Sequence, residues 1–75
     1  MQYGVVLFHT TSAVMKAEKL LLKKGVSIKL IPVPREFSSD CGLSLRFDWD
    51  QRDTVSAELT TAGVESMGIH QMLSK

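Results

Sequence analysis

A chain of 75 residues, 44% hydrophobic and with a net charge of +1, can build one modest core and offers no electrostatic argument for nucleic acid. Its single cysteine excludes an internal disulfide. No charged segment precedes a long apolar run at the N-terminus and no run reaches a spanning length, which argues against a signal peptide or membrane helix. The expectation is one domain over residues 1–75, soluble, without membrane contact and in the reducing cytoplasm.

Tyr3 to Phe8 is a β-branched and aromatic run without alternation, the pattern of a strand buried on both faces. Thr10, Thr11 and Ser12 then offer hydroxyls to the free amides of a first helical turn. A helix is predicted from Ala13 to Lys24. It places Ala13, Val14, Ala17, Leu20 and Leu21 on one face and Lys16, Lys19 and Lys23 on another. Gly25 ends it. Met15 and Leu22 fall outside the apolar stripe, as core rim or as a contact patch.

Val26, Ile28 and Leu30 alternate in a second strand from Val26 to Val33, and Pro32 confines that strand to a sheet edge or ends it there. A loop with both prolines, the cysteine and a following glycine leads to a third strand. There Leu43, Leu45 and Phe47 alternate with Ser44, Arg46 and Asp48, an apolar face against a polar one. Asp50 is placed to cap a second helix, with Asp53 in its first turn. That helix runs to Ala62, burying Val55, Leu59 and Ala62, and Gly63 closes it. Met67 to Leu73 reads as a last strand.

The order β-α-β-β-α-β predicts a ferredoxin-like α+β sandwich, a four-stranded antiparallel sheet with both helices on one face. Right-handed crossovers set strand three between strands one and two. The start of strand three, Cys41-Gly42, then meets the end of strand one at His9-Thr10, beside the first helix. The turn Gly63 to Gly68 borders the same edge.

A thiol is nucleophilic as thiolate, and a helix N-terminus or a cation lowers its pKa. The amides of the first helix, Arg35 and a protonated His9 are candidates for that work at Cys41, which Asp40 opposes. Thr10 and Thr11 lie where the helix begins. Ser38 and Ser39 offer hydroxyl donors to a sulfur or an oxyanion, and Gly42 removes bulk beside the thiol. The alternative is a cysteine that acts as a small buried hydrophobe, with His9 a polar strand-end residue. No ligand-like spacing supports a metal, and no glycine-rich phosphate loop or cofactor motif is present, so neither metal nor cofactor is expected. A Cys41-His9-Asp40 hydrolase lacks room for a cleft.

Charge is uneven. Lys16, Lys19, Lys23, Lys24, Lys29 and Arg35 crowd the first half, while Glu36, Asp40, Asp48, Asp50, Asp53, Glu58 and Glu65 crowd the second. Such asymmetry suits steering of a charged partner, a homodimer, or simply two solvated faces.

Three stretches carry a family resemblance across nearly the whole chain. They are Phe8-His9-Thr10-Thr11, the run from Leu30 through Pro32, Val33, Pro34 and Arg35 to Glu36, and Ser38-Ser39-Asp40-Cys41-Gly42-Leu43 with the strand that follows. Here the sequence resembles the small selenium/sulfur (Se/S) carrier protein-like family. The resemblance implies that Cys41, the cysteine before the glycine, is the functional residue.

Two functions from different classes follow. In the first, the protein is a carrier rather than a stand-alone enzyme: Cys41 holds sulfane sulfur or selenium from a donor protein and passes it to an acceptor protein. In the second, it is a non-catalytic interaction or regulatory module, dimerising or docking through its sheet face or through Met15 and Leu22, with a structural cysteine. A thiol-disulfide redox role lacks a resolving cysteine.

Overall fold

Among the described residues, four strands and two helices form in the expected order. They are β1 (Gln2–Leu7), α1 (Thr11–Lys23), β2 (Ile28–Pro32), β3 (Leu43–Asp48), α2 (Arg52–Ala62) and β4 (Gly68–Leu73). A computed structural model describes residues 2–37 and 42–73. The sheet order is β2-β3-β1-β4 with every neighbouring pair antiparallel, so β3 does lie between β1 and β2. This is the ferredoxin-like α+β arrangement.

The core follows from two periodicities. Val14, Ala17 and Leu21 recur at helical spacing on α1, and Val55 and Leu59 do so on α2. They pack with Val6 and Phe8 of the β1 segment and Leu45 and Phe47 of β3, alternate residues that share one sheet face. Gly4 also faces this side and pairs with Phe47. A β-carbon there would meet Phe47 Cζ at 2.5 Å and Trp49 Cε3 at 2.8 Å, so the rings occupy the space that glycine leaves. Val5 and Leu7 point to the other face and are also buried, as expected of a strand without alternation.

Both helices end alike. Gly25 N donates to Leu22 O and Val26 N to Leu21 O; Gly63 N donates to Thr60 O and Val64 N to Leu59 O. Gly25 and Gly63 take φ values of 80° and 70°, the left-handed geometry of a Schellman cap. Val26 and Val64 are thereby turned into the core. Lys24 Nζ lies 3.7 Å from Glu58 Oε1, linking the end of α1 to α2.

Several expectations are corrected. Asp50 does not cap α2. Residues Trp49–Gln51 form a 3₁₀ turn, with Trp49 stacked on Phe47 at 6.1 Å, and α2 begins at Arg52 without a side-chain cap. Packing of the Trp49 ring draws these residues into the tighter turn. Ala62 is exposed rather than buried, because the chain reverses at Gly63 and Val64 fills the core instead. Met15 and Leu22 do not rim the core: they are 43% and 55% exposed. Each lies one residue, about 100° of helical turn, past the core stripe. Leu30 is 38% exposed, since β2 is an edge strand paired only with β3. Pro32, as expected, ends that edge.

Candidate functional site

The site is assembled at one end of the sheet. Thr10 adopts extended backbone (φ −136°, ψ 153°), and its side chain accepts from Ala13 N at 3.1 Å, so it is the N-cap of α1. No acidic residue occupies the first turn, which leaves the positive end of this 13-residue helix without a countercharge from that turn. Thr11 and His9 are exposed, and His9 makes an interaction of its own.

Strand pairing brings the neighbouring ends here. Leu7 pairs with Ser44 on one side and with Gly68 on the other. The segment after β1 leads on to His9, and Gly42 precedes β3, so both lie just beyond this last pair. Met67 N donates to Leu7 O at 2.6 Å, so the segment leading into β4 borders the same edge, as expected. Gly42 has φ +72° with open space around its α-carbon, and its carbonyl accepts from Val33 N at 3.2 Å. Arg35 is exposed at the corner of a turn in which Phe37 N donates to Pro34 O at 3.0 Å. The structure therefore puts Gly42 and the segment carrying His9, Thr10 and Thr11 just beyond the same end of the β1–β3 ladder, and Arg35 in the loop that leads away from β2. Cys41, Ser38 and Ser39 lie outside the described residues, as does Asp40.

Three residues on the sheet face away from the helices take places that the sequence reading did not anticipate. Phe37 stacks on His70 of β4 with ring centroids 4.4 Å apart and planes inclined by 28°. His70 pairs with Val5, so it stands on the face turned away from the helices. Ser44, expected on a polar face, is fully buried on that same face. Its hydroxyl donates at long range to the carbonyls of Ile31 (3.4 Å) and Pro32 (3.5 Å). The one hint in the sequence is Phe37 itself, a large apolar ring within an otherwise polar loop.

Elsewhere on this face, Arg46 lies 3.9 Å over the Tyr3 ring, a cation–π contact at the opposite end of the strands. Among the described residues no group of three or more His, Cys, Asp or Glu is placed to hold a metal ion, and no helix is long and apolar enough to cross a membrane.

The sequence matches the family described as "Putative Se/S carrier protein-like" over residues 3–71. The chain belongs to this family. No curated protein and no solved structure matches it. The match runs from within β1 to within β4, so it takes in both helices, β2, β3 and the stretch of sequence that contains Cys41.

Proposed function

We propose that the protein is a single-domain carrier that holds sulfane sulfur or selenium on Cys41 and relays it between a donor and an acceptor protein in the reducing cytoplasm. Membership in the Se/S carrier-like family is the observation that carries this reading. The geometry adds to it. Gly42, the residue after Cys41, precedes β3 at the sheet end where β1 leads into α1, whose first turn holds no acidic residue, and a helix N-terminus favours a thiolate.

The transfer needs no cofactor. The Cys41 thiolate attacks the outer sulfur of a donor persulfide, R–S–SH. A new S–S bond forms as the donor's S–S bond breaks, giving Cys41–S–SH and the donor thiolate R–S⁻. The acceptor's thiolate repeats the exchange on the outer sulfur and releases Cys41 as thiolate. With selenium the outer atom is Se and the electron count is unchanged.

The test is intact mass before and after incubation with a cysteine desulfurase and free cysteine, with Cys41→Ser as control. The expected result is a gain of one or more sulfur masses, reversed by reductant and absent in the variant. A Cys41→Ser protein that still relays sulfur would end the carrier reading. The exposure of Met15 and Leu22 on α1 favours the second reading, an interaction module. It predicts partner binding that survives Cys41→Ser and a wild-type thiol that takes up no sulfur.

A further inference from the structure

Both sides of α1 carry a pattern, and the fold uses only one of them. Val14, Ala17 and Leu21 are buried in the core. At about 100° per residue, Met15, Lys19 and Leu22 follow one another along the opposite side, with Lys16 and Lys23 beside them. All five are exposed, Met15 by 43% and Leu22 by 55%. Ser12, Met15, Lys16 and Lys19 line a hollow at the start of this face.

The three lysines work against their own helix. Lys16 and Lys19 stand three residues apart and Lys19 and Lys23 four, spacings at which like charges face each other and weaken a helix. No acidic residue stands three or four positions from any of them. Among the described residues none of the three pairs with a carboxylate, whereas Lys24 turns to Glu58 of α2. Glu18, the acid of α1, is half-buried and falls on the side of Met15 and Leu22 away from the lysines.

We propose that this face of α1 docks an acidic, amphipathic segment of another protein. The segment's apolar side chains cover Met15 and Leu22 while its carboxylates meet Lys16, Lys19 and Lys23. Charge selects that occupant. A second copy of this chain does not supply it: the outward residues of α2 are mostly serine, threonine and alanine, and its acids Asp53 and Glu58 are already paired with Arg52 and Lys24. A net charge of +1 and a face without arginine do not suit a nucleic acid. A lipid surface is not matched either, because the apolar stripe of α1 is used in the core and Met15 and Leu22 alone leave little to bury in a bilayer. The inference names the chemistry of a partner and stands independently of the sulfur chemistry at Cys41.

The test follows, by fluorescence anisotropy, the full chain binding a labelled helical peptide of about 18 residues, with leucines along one side and glutamates along the other. One control peptide has glutamine for glutamate and another has alanine for leucine. The acidic, leucine-bearing peptide should bind at least about fivefold more tightly than either control. In the isotope-labelled protein its amide shifts should gather between Ser12 and Lys23. Lys16→Gln, Lys19→Gln and Lys23→Gln combined should weaken binding about tenfold, the effect of three exposed ion pairs, and added salt should act in the same direction. That triple variant should keep or raise its melting temperature, since it removes like-charge pairs from the helix, and a drop would give the lysines a structural role instead. Met15→Ser and Leu22→Ser should each weaken binding about threefold. Lys29→Gln, on the edge strand β2, should leave it within about twofold. No peptide binding, equal binding of all the peptides, or shifts centred away from α1 would overturn the proposal. Self-association in sedimentation velocity that is lost in the triple variant would also overturn it, by giving the face to a second copy. So would duplex DNA or phosphatidylserine vesicles binding as tightly as the acidic peptide. Failure of the carrier reading is seen elsewhere, in a wild-type protein that takes up no sulfur, and leaves each of these outcomes unchanged.

Discussion

Val33 N donates to the carbonyl of Gly42 at 3.2 Å. The bond links the residue just after β2 to the residue just before β3, one step beyond the last pair of their ladder, Pro32 with Leu43. Gly42 holds φ +72° here, a left-handed value that β-carbon sterics penalise.

Gly42→Ala should therefore lower stability by about 1–2 kcal/mol in urea denaturation, through backbone conformation alone. Nothing lies within 4 Å of the added β-carbon, so no clash contributes. Gly42→Asn should cost clearly less, since asparagine tolerates this region. Equal losses for the two variants would mean that the site is limited by space.

Gly4 presents the opposite case. Its backbone is ordinary strand, but an added methyl would press on the rings of Phe47 and Trp49. Gly4→Ala should cost about 1–3 kcal/mol through overpacking. In the background of Phe47→Leu the same change should cost less, because the ring is gone. A double-mutant cycle in urea checks the sign, and additive losses would show that Phe47 is not what excludes the methyl.

Thr10 allows stability and reactivity to be separated. Thr10→Ala removes the acceptor of Ala13 N and should destabilise by about 1 kcal/mol. Thr10→Asp keeps an acceptor and adds a negative charge at the positive end of α1, so stability should hold or rise. The same charge disfavours a thiolate nearby. Alkylation of Cys41 at neutral pH should slow by about two- to fivefold in Thr10→Asp. An unchanged rate, with the expected stability, would separate Cys41 from the helix N-terminus.

Much of the architecture is legible locally. The unbroken apolar run of β1, the spacing of Val14, Ala17 and Leu21, and the glycines after each helix name their elements, because each depends on residues a few positions apart. The β-α-β-β-α-β order then leaves few topologies, which is why the meeting of the β1 end with the start of β3 could be anticipated. The start of α2 was less legible. Asp50 has the chemistry of a cap, but the packing of Trp49 against Phe47 decides where the turn tightens.

By itself the sequence determined the order of the elements, the core stripe of α1 and the family to which the chain belongs. The tertiary structure alone decided what happens on the face without helices. Ser44 alternates with leucines and reads as solvent-facing, yet it is buried, and Phe37 reads as a loop residue, yet it stacks on His70 at the far edge of the sheet. Periodicity reports which face of a strand a residue takes. It carries no information about which distant segment will cross that face, because that contact forms only once the strands between β2 and β4 have paired.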